Sequence, residues 1–149
     1  MKFRFAYEHL LKHKKRLAEL AAREFSEAQH KVDQANGKLR DMYELIEESR
    51  KRALDLTAEG GRKSGALAQI DEFITGHKIR IEHQRLVIRQ LHLEAERTQE
   101  ALIEAAREYK TLQKLRERRL DEFKHLVKKH ELKQVDELVT TRFKREENS

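Results

Sequence analysis

The sequence predicts an all-α fold: a two-helix antiparallel coiled-coil hairpin with a longer, overhanging C-terminal helix. Three observations predict it. Apolar residues recur at seven-residue spacing over two long stretches. A glycine cluster separates those stretches, and the chain has no proline to interrupt either one. Of 149 residues, 40% are charged and only 6% aromatic, which is enough for an apolar seam and too little for a thick globular core. High charge alone would also fit a disordered chain. A disordered chain, however, has no reason to keep one heptad phase over many turns.

Helix 1 is expected over about 3–58. Its seam runs Leu11, Ala18, Phe25, Val32, Leu39, Ile46, Ala53, interleaved with Tyr7, Ala21, Ala28, Ala35, Met42, Ser49 and Leu56. Seven residues make two turns of a slightly underwound helix, so these positions form one apolar stripe. The turn is expected at 59–65, over Glu59-Gly60-Gly61-Arg62-Lys63-Ser64-Gly65. Gly60 or Gly61 can take the left-handed conformation that ends a helix. Ser64 can accept hydrogen bonds from the first free amides of the next one.

Helix 2 is expected over about 66–143. Its seam runs Leu67, Ile74, Ile81, Ile88, Ala95, Leu102, Tyr109, interleaved with Ile70, Leu91, Ala105 and Leu112. Folding helix 2 back with Leu56 opposite Leu67 places Met42 against Ile81, Ala35 against Ile88, Val32 against Leu91 and Ala28 against Ala95. Large residues mostly meet small ones, which evens the layer volumes. His77 falls opposite Ile46 and Gln84 opposite Leu39, polar seam residues of the kind that set register at some cost in stability. Residues 1–149 thus read as one coiled-coil domain, a rod. Beyond about residue 120 no part of helix 1 remains to face helix 2. That overhang still carries Leu120, Phe123, Leu126, Val127, Leu132, Val135, Leu138, Val139 and Phe143. Its uncovered apolar surface is expected to fray, to self-associate or to insert into a partner, and is the strongest pointer to function in the pattern.

Charge is uneven. The net charge is +6. Residues 1–20 carry six basic and two acidic side chains, and residues 110–149 carry twelve and eight. An antiparallel hairpin brings these segments to one end, which is then positive, with a near-neutral shaft.

Several function classes are disfavoured. Without cysteine there is no disulfide, thiolate zinc site or cysteine nucleophile. His9 and His13 share a helix face at metal-ligand spacing, but Lys12, Lys14 and Lys15 on the same turn repel a cation, so no metal site and no cofactor are expected. Gly60-Gly61-Arg62-Lys63-Ser64 superficially resembles a phosphate loop. It lacks the preceding strand and the motif's spacing. Paired acids such as Glu47 and Glu48 have no enclosed cleft in which to act, so no enzyme and no small-molecule substrate are expected. No apolar run reaches membrane-spanning length, and no signal-peptide core follows Met1, so a soluble intracellular chain is expected. Lys12, Lys14, Lys15 and Arg16 precede a heptad stretch as in a basic-zipper DNA reader, but Leu10, Leu11 and Leu17 break the basic face. A basic coiled-coil nucleic-acid-binding protein is the alternative reading, with steep salt dependence as its signature.

The two ends carry a family pattern. Lys2-Phe3-Arg4-Phe5 is followed by Leu10-Leu11-Lys12-His13-Lys14 and by Leu17-Ala18-Glu19-Leu20-Ala21-Ala22-Arg23-Glu24. Near the other end stands Glu131-Leu132-Lys133-Gln134-Val135-Asp136-Glu137-Leu138-Val139-Thr140-Thr141-Arg142-Phe143. Across essentially its whole length the chain resembles the flagellar export protein FliJ family. The resemblance implies a non-enzymatic coiled-coil stalk of the flagellar type III export apparatus, similar to the γ stalk of rotary ATPases. It implies that the stalk engages the hexameric export ATPase FliI, links it to the export-gate protein FlhA, and in some members escorts export chaperones. The expected location is cytoplasmic, at the inner face of the inner membrane through partners, and nucleic acid is not an expected partner. For the ATPase it points to Leu126, Leu132, Asp136, Glu137, Leu138, Arg142 and Phe143, with Lys12, Lys14 and Lys15 nearby. For the gate it points to Met42, Leu45, Phe73, Ile74 and His77, with Leu45 and Ser49 standing where relatives carry tyrosines.

Overall fold

The computed structural model describes residues 1–60 and 64–149. Two helices pack against each other, α1 over Glu8–Ala58 and α2 over Ser64–Glu147, and the described residues contain no strand. The all-α hairpin is therefore the observed fold. The chain forms two compact units, one of Leu20–Leu102 and one of Met1–Glu19 with Ile103–Ser149.

In the unit of residues 20–102 the buried side chains are Ala21, Ala28, Val32, Ala35 and Ile46 from α1, and His77, Ile81, Gln84, Ile88 and Ala95 from α2. Every one lies on the heptad stripe. Ala28, Val32 and Ala95 form a core cluster with Leu91 packed against it. These four make up two of the pairs that the antiparallel register sets, Val32 with Leu91 and Ala28 with Ala95. Val32 is 1% exposed, while the alanines let the two backbones come close. Gln84 is buried, and its Nε2 donates to the Ala35 carbonyl at 3.1 Å. The bond goes to a helix backbone rather than to a side chain, so it ties one position of α2 to one turn of α1. That is how a buried amide specifies register. No buried side-chain nitrogen or oxygen among the described residues lacks a partner. His77, also buried, stacks on Phe73 with ring centroids 4.6 Å apart.

The end of α1 follows its local chemistry. The Glu59 amide still bonds the Asp55 carbonyl at 3.1 Å, and Gly60 then turns to φ +60°. Glycine takes that conformation without a Cβ clash, so Gly60 is the residue that stops the helix. Gly61, Arg62 and Lys63 lie outside the described residues, and with them Gly61 as a helix stop and most of the phosphate-loop look-alike.

In the other unit α1 begins at Glu8, later than the heptad pattern placed it. The reason is a contact with no periodic signal. The Phe3 ring lies on Phe123 at 5.6 Å, and the Arg116 guanidinium sits 5.6 Å from the Phe3 centroid. Arg116 also bonds Glu8 through Nε at 3.0 Å. Residues ahead of α1 are thereby drawn out along α2, with the Glu8 amide bonded to the Phe5 carbonyl at 3.2 Å. Lys14 Nζ meets Glu108 at 2.8 Å in the same unit. The uncovered part of α2 accordingly starts later than residue 120. Leu120, Phe123 and Val127 are half-buried, and every residue from 128 to 149 is exposed. α2 stays helical to Glu147, past the expected end near 143.

Candidate functional site

The exposed end of α2 is built by a change of face. Up to Val127 the stripe is the one that packs on α1. Continued at the same spacing, it would pass through His130, Gln134, Glu137 and Thr141, all polar. The apolar residues shift instead to Leu132, Val135, Val139 and Phe143, at spacings of three and four that line one helix face. Leu138 lies beside that stripe. Leu132 is 65% exposed and Phe143 64% exposed. This stripe is a new amphipathic face and not an unfinished piece of the hairpin seam. A helix with one wet apolar face is suited to a groove on another protein.

Of the residues expected at the ATPase, Leu126, Leu132, Asp136, Glu137, Leu138, Arg142 and Phe143 are all exposed on α2. The threonine hydroxyls of Thr140 and Thr141 bond the backbone carbonyls of Asp136 and Glu137, each at 2.8 Å, so both threonines turn onto their own helix. Lys12, Lys14 and Lys15 are not brought to this set. The Lys14–Glu108 ion pair places them beside α2 near residue 108. At 1.5 Å per residue that is about 27 Å along α2 from Leu126 and farther from the rest. Lys12 and Lys15 are exposed, whereas Lys14 is half-buried and paired. The expected set also left out Val135 and Val139, which belong to the stripe. Their spacing relative to Leu132 was the available signal.

The positive charge does not follow the apolar stripe. The unit of residues 1–19 and 103–149 has nineteen basic and twelve acidic side chains, whereas the unit of residues 20–102 has fourteen and fifteen. Within the first, residues 128–149 hold six basic and five acidic side chains. The excess therefore sits on the paired part of that unit, and the exposed stripe is nearly neutral.

The residues expected at the gate divide by depth. Leu45 and Phe73 are exposed and line one open groove together with Ser49, Leu56 and Ile70. Met42 and Ile74 are half-buried in the seam, and His77 is buried beneath Phe73. Sequence reasoning missed Tyr43, a second exposed aromatic of this region beside Phe73. Its hydroxyl receives a hydrogen bond from Arg85, whose guanidinium lies 5.8 Å from the ring centroid. Among the described residues no group of three or more metal-ligating side chains comes together, and no helix is long and apolar enough to cross a membrane.

Two helices joined by a heptad seam, with one running on as a bare amphipathic segment, define the class as a coiled-coil hairpin protein. The sequence profile described as flagellar FliJ protein matches residues 2–148, and the chain belongs to that family of flagellar export components. No curated protein and no solved structure matches it.

Proposed function

We propose that the chain is a non-enzymatic stalk or adapter of the flagellar type III export apparatus. The exposed end of α2 engages the export ATPase FliI, and the groove beside Phe73 and Leu45 meets the export-gate protein FlhA. Export chaperones are further candidates for the same surfaces. It works in the cytoplasm, at the inner face of the inner membrane, and reaches the membrane only through its partners. One observation supports the reading above the others: in a FliJ-family chain, α2 carries a separate apolar stripe through Leu132, Val135, Val139 and Phe143 that nothing among the described residues covers. A stripe of this kind gains its stabilisation on binding, at about 25 cal/mol per Å² of apolar surface removed from water.

The test is the ATPase rate of the cognate FliI with and without the chain. Stimulation is expected from the unaltered chain and not from Leu132→Asp combined with Val139→Asp. Both sites are exposed, so the hairpin stays helical by circular dichroism. Full stimulation by the double variant would refute the assigned surface. No stimulation and no co-purification by the unaltered chain would refute the function.

A further inference from the structure

The position of a two-helix coiled coil that points directly away from the partner helix is normally its most polar. On α1 those positions are Arg16, Arg23, His30, Gly37, Glu44 and Lys51. On α2 they are Glu72, then Ile79, Leu86 and Leu93, then Glu100. The three apolar residues are 68%, 58% and 47% exposed, on the side of α2 opposite its buried seam. They lie within one unit and make no contribution to its core. Three consecutive heptads of apolar outer positions, bounded at each end by glutamate, form a second short seam.

We infer that this second seam pairs with its own copy, antiparallel, about a two-fold axis at Leu86. The pattern is complementary to itself in that sense only. Leu86 meets Leu86, and Ile79 meets Leu93 twice. An antiparallel two-fold keeps like sides of the two helices together. On one side it sets Glu82 against Arg89 of the second copy, within one residue of level, and repeats the pair on the other half. On the opposite side His83 meets Gln90. In a parallel pair Glu82 would face His83 and Arg89 would face Gln90, and the opposite-charge pair it forms, Glu96 with Arg97, falls beyond the last apolar residue, Leu93. Glu82 already holds Arg85 of its own helix at 2.8 Å, and its second carboxylate oxygen can accept from Arg89 of the second copy. Both α1 helices lie on the outer sides and do not obstruct the approach. The result is four helices side by side in the order α1, α2, α2, α1. Three side chains per copy make a small interface, which places the dimer in the weak, reversible class.

The test is sedimentation of the full chain over a concentration series reaching on the order of 100 μM. A reversible dimer is expected, and Leu86→Glu should abolish it with helicity unchanged. Glu82→Arg alone and Arg89→Glu alone should each weaken association about tenfold or more, and the two combined should restore it. The chain has no cysteine, so engineered thiols report directly. Ile79→Cys should cross-link to Leu93→Cys when the two variants are mixed, and neither should cross-link to itself. A chain that stays monomeric, a dimer indifferent to Leu86→Glu, a charge swap without rescue, or self-cross-linking of Ile79→Cys would each overturn the inference.

Discussion

Truncating Val32 to alanine tests the seam where it is tightest. Val32 is the most completely buried large side chain of the described residues, at 1% exposure. The substitution removes two methyl groups from the core cluster, a transfer loss of about 1.6 kcal/mol at ~0.8 kcal/mol each. The space left behind borders Ala28 and Ala95, which have no side-chain length to fill it. Leu91, packed against the cluster, can lean in. Incomplete collapse adds about 1 kcal/mol, for a total of roughly 2–3 kcal/mol. With a urea slope of about 2 kcal/mol per molar, the midpoint should fall by about 1 M. Urea titration followed by helical circular dichroism measures this. Leu86→Ala is the control: it removes more carbon from a side chain that is 58% exposed, and at dilute, monomeric concentration it should cost less than about 0.5 kcal/mol. Equal midpoint losses for the two variants would show that the stripe through Val32 is not the buried one, and the packing argument would fail with it.

Other outcomes follow from single contacts. Gly60→Ala should destabilise the hairpin by about 1 kcal/mol although a Cβ there meets nothing within 4 Å, because the cost lies in φ +60° rather than in space. Gly37→Ala, inside α1 and equally open, should have the opposite sign, stabilising by up to about 1 kcal/mol in the same titration. Phe3→Ala should release the residues ahead of α1 from Phe123, so limited trypsin digestion should cut after Arg4 faster; an unchanged rate would mean that the ring contact does not hold the segment. Cysteines at positions 35 and 88 should form an intramolecular bridge, as both seam residues are buried in the pairing of Val32 with Leu91. Failure to bridge in the monomer would displace the register.

The heptad reading reached furthest where burial depends on period alone. Ile46, Ile81, Ile88 and Ala95 are buried because a helix with a seven-residue apolar repeat has one face to hide, whatever its partner is. Even the polar seam residues His77 and Gln84 were legible, because their position in the repeat outweighed their polarity. Which atom satisfies Gln84 was not legible, since a carboxamide can find a carbonyl or a side chain and only the packed distance selects the Ala35 carbonyl. For the candidate site, Leu132, Leu138 and Phe143 were visible as apolar residues past the expected pairing. That Leu132 and Phe143 share a new face with Val135 and Val139 lay in the spacing but needed the end of the pairing to be located first.

Sequence by itself determined the helical class, the two seams, the break between them and the family. Each of these is a local or periodic property, carried by every turn of the chain. Tertiary structure alone decided where the pairing stops. Phe3 against Phe123, and Arg116 between Phe3 and Glu8, join residues more than a hundred positions apart with no repeat to announce them. It also separated Lys12, Lys14 and Lys15 from the exposed stripe. Their common charge says nothing of distance, whereas the Lys14–Glu108 ion pair fixes where on α2 they lie. Contacts of that kind exist only once the chain has closed on itself, which is why the exposed end of α2 could be named from the sequence but bounded only in three dimensions.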